Sequence, residues 1–295
     1  MRKSLSILAI LALAGAFGQA TAQQSRTIEV NGVMLHYVDQ GEGKPVVFVP
    51  AAIVDHRVWE PYREAIAREH RFIAYTQRYF GTDPWPDDGD HYSVETHAAD
   101  LAAFIRALDA GPVYLVTWSY SGIVASVMVL EHPDLVSGMM HYEPTLMSVI
   151  ADLPEGQAAL EQWDQRTAHA VETLQAGDAA QAAKLFIEAV FERPPGGFQQ
   201  EPEYMRTIWM DNARTLSLAA PHPPSVTGDD LKAVTQPTLI LKGEHTGFLW
   251  PVIANTMAQC QPQAEVRVIP NVNHGGPVHA VEAFTAAILD FLASH

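Results

Sequence analysis

The sequence predicts an α/β protein: a mainly parallel β-sheet with helices on both faces and an inserted helical cap. Three observations predict it. Short continuous apolar runs alternate with amphipathic stretches before about Pro144 and again after Val234, the rhythm of strands and helices that build a parallel sheet. Between those points the pattern is helical, rich in Ala and Gln, with no clear strand. A chain of 295 residues with 48% hydrophobic residues can bury one large core. Residues 23–144 and 235–295 are therefore assigned to the α/β core and residues 145–234 to the cap.

Residues 1–22 stand before the fold. Arg2 and Lys3 head an apolar run from Leu5 to Phe17, and Ala20-Thr21-Ala22 is a small-residue exit before Gln23. That is the pattern of a cleavable secretory signal peptide, with an apolar run too short to span a bilayer comfortably. The expectation is a periplasmic or secreted protein cut after Ala22 and free of the membrane thereafter; an uncleaved anchor is the alternative.

The core elements follow in order. Ile28 to Tyr37 alternates around Asn31-Gly32, a hairpin signal because both turn positions need positive φ. Val46 to Val49 is a strand buried on both faces. Trp59 to Ala67 has helical spacing, and Phe72 to Tyr75 is the next strand. Glu95 to Leu108 is an amphipathic helix with Leu101, Phe104, Ile105 and Leu108 on one stripe. Val113 to Val116 is a buried strand, followed by helix from about Gly122 to Leu130. Gly138 to Tyr142 reads as a further strand, although its methionines suit a helix equally. Pro194-Pro195-Gly196-Gly197 interrupts the cap and Pro221-His222-Pro223-Pro224 closes it as a stiff linker. Beyond it come strand Thr238 to Leu241, helix Trp250 to Gln259, strand Val266 to Ile269, and helix Val278 to Leu292.

Charge and cysteine content exclude several functions. With 18 Lys+Arg against 34 Asp+Glu, the net charge of −16 argues against nucleic acid as a partner. The single cysteine, Cys260, forms no intramolecular disulfide and no Cys-based zinc site; its helical apolar pattern predicts a buried side chain. No H-E-x-x-H is present, and His274 with His279 lacks a third ligand at suitable spacing, so no metal is expected. Gly41-Glu42-Gly43-Lys44 precedes a strand instead of opening a helix, so no nucleotide cofactor is implied.

One segment carries chemistry. Thr117-Trp118-Ser119-Tyr120-Ser121-Gly122 follows the Val113 to Val116 strand and precedes a helix. A strand, a sharp turn centred on Ser and a helix make a nucleophile elbow. The usual glycines two residues either side of the Ser are here Thr117 and Ser121, leaving a small-x-Ser-x-small form; the competing reading is a turn serine that caps the helix. A serine needs a base, and the base needs a third group to orient it. His274, on a loop five residues past Ile269 and before the last helix, stands where that base is expected.

From about Thr27 onward the chain resembles the α/β-hydrolase superfamily, including its capped esterase and enol-lactonase-like members. The resemblance rests on the Val46–Val49 strand with Trp59 downstream, the Gln77-Arg78-Tyr79-Phe80-Gly81 loop, the elbow at Ser119, the segment Pro237 to Glu244, and His274. It implies an α/β-hydrolase fold and an oxyanion hole built from two backbone N–H groups, those of Tyr120 and Ala52. The family's usual His-Gly after the first buried strand is here Pro50-Ala51, and Pro50 has no N–H to donate. The usual acid, an Asp three residues after the glycine that follows the Thr238–Leu241 strand, is also missing: Gly243 is followed by Glu244, His245 and Thr246. A known variation places the acid just beyond the preceding strand, where Glu143 stands; Glu244 is the alternative. Glu143 also reads as a solvated carboxylate ahead of a proline-led helix, and His245 as a cap-facing or surface residue.

The cap is rich in bulky residues, among them Leu185, Phe186, Val190, Phe191, Tyr204, Met205, Trp209 and Met210. Most are expected to pack the cap onto the sheet, and the remainder to roof an apolar pocket over Ser119, with Trp118 and Tyr120 flanking the nucleophile. The expected function is a cofactor-free serine hydrolase of a small or medium ester or lactone, using Ser119, His274 and Glu143. A Ser at the elbow argues against the superfamily's dehalogenase and epoxide-hydrolase branches. Alternatives are C–C bond hydrolysis or perhydrolysis with the same residues, or a degenerate, ligand-binding member.

Overall fold

The computed structural model describes residues 25–218 and 225–295. The signal-peptide reading of residues 1–22 and the linker reading of Pro221 to Pro224 lie outside the described residues.

Asn31 and Gly32, both at positive φ (47° and 75°), turn β1 (Arg26–Val30) into β2 (Val33–Gln40), as the hairpin signal requires. With β3 (Pro45–Val49), β4 (Arg71–Tyr75), β5 (Val113–Trp118), β6 (Val136–Tyr142), β7 (Thr238–Gly243) and β8 (Glu265–Ile269) they form one eight-stranded sheet, ordered β1-β2-β4-β3-β5-β6-β7-β8. β2 runs antiparallel to β1 and β4, and every pairing from β4 to β8 is parallel. The apolar runs are strands because the central ladder is covered on both faces: Val46 to Val49 have no solvent exposure. Met139 and Met140 are equally buried in β6, between β5 and β7. β8 is the exception, an edge strand with Val266 and Val268 open to solvent.

The helices of the first half are α1 (Arg63–Ala67), α2 (Val94–Ala107) and α3 (Tyr120–Glu131). Ser93 caps α2 by accepting from the Thr96 N–H, and Leu101, Phe104 and Ile105 bury its apolar stripe. Between β6 and β7 run α4 (Pro154–Gln175), α5 (Ala179–Val190), α6 (Glu203–Asn212) and α7 (Gly228–Ala233), with no strand among the described residues there. The fold closes with α8 (Leu249–Cys260), α9 (Gly276–His279) and α10 (Val281–Ser294). Trp163 of α4 meets Phe186 of α5 and Trp250 of α8 edge-on, at centroid distances of 6.2 and 5.8 Å. That contact ties the inserted helices to the core. No helix among the described residues is long and apolar enough to cross a membrane.

Local expectations are corrected in four places. The helix read over Trp59 to Ala67 is a 3₁₀ stretch, His56–Tyr62, before the short α1; Pro61 has no N–H for an α-helical ladder there. The last helix is split at Ala280 (φ −133°, ψ 46°) into α9 and α10. Cys260 is only half-buried, because it sits at the C-terminal end of α8 against α7 instead of under the sheet. Tyr204, counted among the cap's bulky apolar residues, is 43% exposed at the outer face of α6.

Candidate active site

The parallel strands deliver their C-terminal ends to one edge of the sheet, where loops are free to vary. Ser119 follows β5, Glu143 follows β6 and His274 follows β8. Three residues from distant parts of the chain therefore meet at that edge.

Ser119 occupies a single-residue turn between β5 and α3, with φ 55° and ψ −118°. A non-glycine residue there costs on the order of 1–3 kcal/mol, so the surroundings must over-determine it. They do so with three backbone hydrogen bonds: Ser119 N–H donates to Tyr142 O (3.0 Å), and Ser119 O accepts from Gly122 (2.9 Å) and Thr145 (3.1 Å). The two substituted glycine positions use their hydroxyls. Thr117 Oγ1 lies 2.7 Å from Nδ1 of His141, whose pKa burial pushes down to about 4. Ser121 Oγ donates to Val49 O and accepts from Trp118 N–H, both at 2.9 Å. The closest backbone approach falls instead at Gly122, where a Cβ would stand 2.2 Å from Cβ of Pro144.

His274 is 3% exposed and Glu143 is fully buried. Nδ1 of His274 lies 2.7 Å from Oε2 of Glu143, while Oε1 of the same carboxylate accepts from the Gly243 N–H at 2.7 Å. Glu143 is itself held at positive φ (44°), its N–H donating to Leu241 O. The imidazole is stacked on the Trp250 indole, with ring centroids 3.6 Å apart and planes 14° apart. Trp118 Nε1 fixes the loop by donating to the His274 carbonyl at 3.0 Å. Burial pushes the His274 pKa down from its ordinary 6.5, with Glu143 and, at longer range, Glu192 pulling the other way.

Of the two acids considered from sequence, the fold brings Glu143 to His274. Glu244 is exposed, and its Oε2 accepts from the Asn271 N–H at 2.9 Å. Its neighbour His245 is exposed on the surface. Glu244→Gln is accordingly expected to change kcat/KM of an ester assay by less than about 3-fold, as an exposed residue outside the cavity should.

Ser119 and His274 line one small cavity of about 20 Å³, together with Ala52, Trp118, Phe191 and Trp209. Ser119 Oγ hydrogen-bonds Thr145 Oγ1, which is not part of that cavity's lining, at 3.1 Å, and among the described residues it has no hydrogen bond to His274. Tyr120, the first residue of α3, has an N–H with no intrahelical acceptor. Ala52 lies in the loop after β3, which is pinned where Gln77 Nε2 donates to Pro50 O at 3.0 Å. No hydrogen bond among the described residues engages the Ala52 N–H. Of the cap residues singled out, Phe186, Val190, Phe191 and Trp209 reach the cavity. Thr145 and Trp250 were not legible as site residues. Nothing in their local sequence marks them, and each acquires its place only when separate segments meet.

No cluster of metal-ligating side chains occurs among the described residues. A family model for the α/β hydrolase fold matches residues 44–277. The 2-(acetamidomethylene)succinate hydrolase of Mesorhizobium japonicum is 23% identical over 270 residues, spanning 91% of this chain and 95% of that protein. A thermophilic esterase from Thermogutta terrifontis superposes with a TM-score of 0.71 at 26% identity, covering 92% of this chain and 98% of that one. The enol-lactonase from Burkholderia xenovorans LB400 superposes at 0.69 with 18% identity, over 91% and 100% of the two chains. The strand order, the strained turn after β5 and a family match over most of the sequence agree, and the chain belongs to the α/β-hydrolase fold family.

Proposed function

We propose that the protein is a serine hydrolase of neutral esters or lactones, in which Ser119 is the nucleophile, His274 the base and Glu143 its orienting acid. The observation that carries this reading is the buried Glu143–His274 pair, 2.7 Å apart, on the same small cavity as a serine held in a strained turn. The reaction requires the Ser119 hydroxyl to leave Thr145, by rotation about Cα–Cβ, and to meet the imidazole nitrogen that Glu143 does not hold, Nε2, across the cavity that both residues line. Catalytic hydrogen bonds that are absent without substrate commonly form in the substrate complex. Ser119 Oγ then attacks the carbonyl carbon as its proton passes to His274 Nε2. The Tyr120 and Ala52 N–H groups hold the resulting oxyanion. Collapse of the tetrahedral intermediate breaks the bond to the leaving oxygen, which takes the proton from His274. Water, deprotonated by the same imidazole, hydrolyses the acyl-enzyme and restores Ser119. Glu143 keeps the Nδ1–H tautomer and offsets the imidazolium charge.

The test is covalent. A fluorophosphonate probe should label the wild-type protein and leave Ser119→Ala unlabelled. A second reading, a ligand-binding protein without turnover, is favoured by the Ser119–Thr145 hydrogen bond; an unlabelled wild type would select it.

The pH dependence follows from the sign of the His274 shift. The base works only when neutral, and burial favours the neutral form, so protonation is displaced below the ordinary imidazole value of 6.5. The kcat/KM profile should therefore show an acidic limb below that value and be flat through neutrality. A limb above pH 6.5 would contradict the placement of the base in this dry pocket.

A further inference from the structure

We propose that the enzyme is selective for esters with a long or bulky uncharged acyl part and a small alcohol part. This rests on the serine-hydrolase reading above and deepens it. Two cavities of very different size adjoin at Ala52 and Phe186, beside Ser119, and the chemistry assigns each to one end of the substrate.

The first is the cavity of about 20 Å³ that Ser119 shares with His274, closed by Trp118, Phe191 and Trp209. Its volume suits a water molecule or little more. The second is a chamber of about 450 Å³ lined by Tyr92, Ile123, Met147, Trp163 and Leu216 among others, within the size range of sites for small organic ligands. Ala52 and Phe186 line both, so the two spaces meet there. Thr145, which holds Ser119 Oγ, and Tyr120 belong to the chamber side.

A tetrahedral intermediate on Ser119 has its oxyanion at the Tyr120 and Ala52 N–H groups and its leaving oxygen at the imidazole, which must protonate it. The remaining substituent, the acyl chain, points away from His274. The leaving group then falls in the small cavity and the acyl chain in the chamber.

The chamber also excludes charge. Among the described residues that line it, none is Lys, Arg, His, Asp or Glu, so a carboxylate on the acyl chain would be buried without a counterion. Three of its hydroxyls are engaged inside the fold. Tyr120 bonds Nδ1 of His97 at 2.7 Å, Ser148 donates to Val226 O at 2.8 Å, and Thr215 donates to Asn212 O at 2.8 Å. Most of what the described residues offer a ligand there is apolar wall.

Two isomeric esters test this. Methyl octanoate carries its chain on the acyl side and heptyl acetate on the alcohol side, with the same composition and nearly the same hydrophobicity. The first should be hydrolysed with kcat/KM at least about 30-fold higher, since several methylenes bind in one orientation only. Monomethyl suberate, in which a carboxylate replaces the terminal methyl of the same eight-carbon acyl chain, should be hydrolysed at least about 30-fold more slowly than methyl octanoate. Met147→Trp, which fills the chamber, should move the optimum of a methyl-ester series toward shorter acyl chains. Equal rates on the two isomers, a preference for heptyl acetate, or full activity on monomethyl suberate overturns the assignment. If Ser119 is still labelled by fluorophosphonate, only this inference falls; if it is not labelled and neither ester is cleaved, the serine-hydrolase reading falls with it.

Discussion

Ser119→Ala is expected to lower kcat of ester hydrolysis by roughly 10⁴- to 10⁶-fold, the range found when a serine nucleophile is removed. No neighbouring group can substitute for it. Thr145 Oγ1 is close to Ser119 Oγ, at 3.1 Å, but it hangs from the loop after β6, outside the strained turn that presents Ser119 over α3. Removing one oxygen from that turn leaves its backbone hydrogen bonds intact, so the variant should unfold at the wild-type temperature within a few degrees. Stopped-flow or steady-state assays on a p-nitrophenyl ester give the rate, and circular dichroism gives the fold. A loss of less than about 100-fold would place the nucleophile elsewhere.

Glu143→Gln should lower kcat by about 10²- to 10⁴-fold, with a smaller change in KM. The amide keeps one carbonyl oxygen, which can accept from Gly243 N–H as Oε1 does at 2.7 Å. It then turns its NH₂ toward His274 Nδ1, where the carboxylate accepts at 2.7 Å. Two donors cannot share that contact, so the imidazole must adopt the wrong tautomer or swing away. It also loses the partner that offsets its charge. The acidic limb of any residual activity should move to still lower pH, because removing the negative charge disfavours the imidazolium. Glu143→Ala should lose stability as well, by about 1–3 kcal/mol, since the buried Gly243 N–H would be left without an acceptor. The contrast with Glu244→Gln, read in the same assay, separates the two acids that the sequence leaves open.

The parts of the site that were legible share one property: each is announced by its immediate neighbours. Ser119 is marked by a strand before it and a helix after it, and His274 by its place between the last strand and the last helix. The hydrophobic runs Val46 to Val49 and Val113 to Val116 read as strands buried on both faces, because four consecutive apolar residues leave no side for water and their short, valine-rich make-up favours a strand over a helix. Breaks such as those at Pro61 and Ala280 were harder to read, since a helical hydrophobic period continues across them. The methionines of β6 conform to their parallel neighbours against their own weak preference.

Local pattern, then, was enough for the class of fold and for singling out Ser119 and His274 as the proposed nucleophile and base, because alternation and turn chemistry act over a few residues and are written there. It could not choose the acid. Glu143 and Glu244 both follow a strand of the same sheet, and both could be drawn near the same edge. The tertiary structure separates them by direction. Glu143 is turned inward by a positive φ and locked by Gly243 and His274, while Glu244 is spent on the Asn271 backbone and faces solvent. The same holds for Thr145 on Ser119, for the Trp250 indole under His274, and for the unequal cavities on either side of the turn. Each depends on contacts between segments distant in sequence, and such contacts come into being only when the sheet has assembled and the inserted helices have packed onto it.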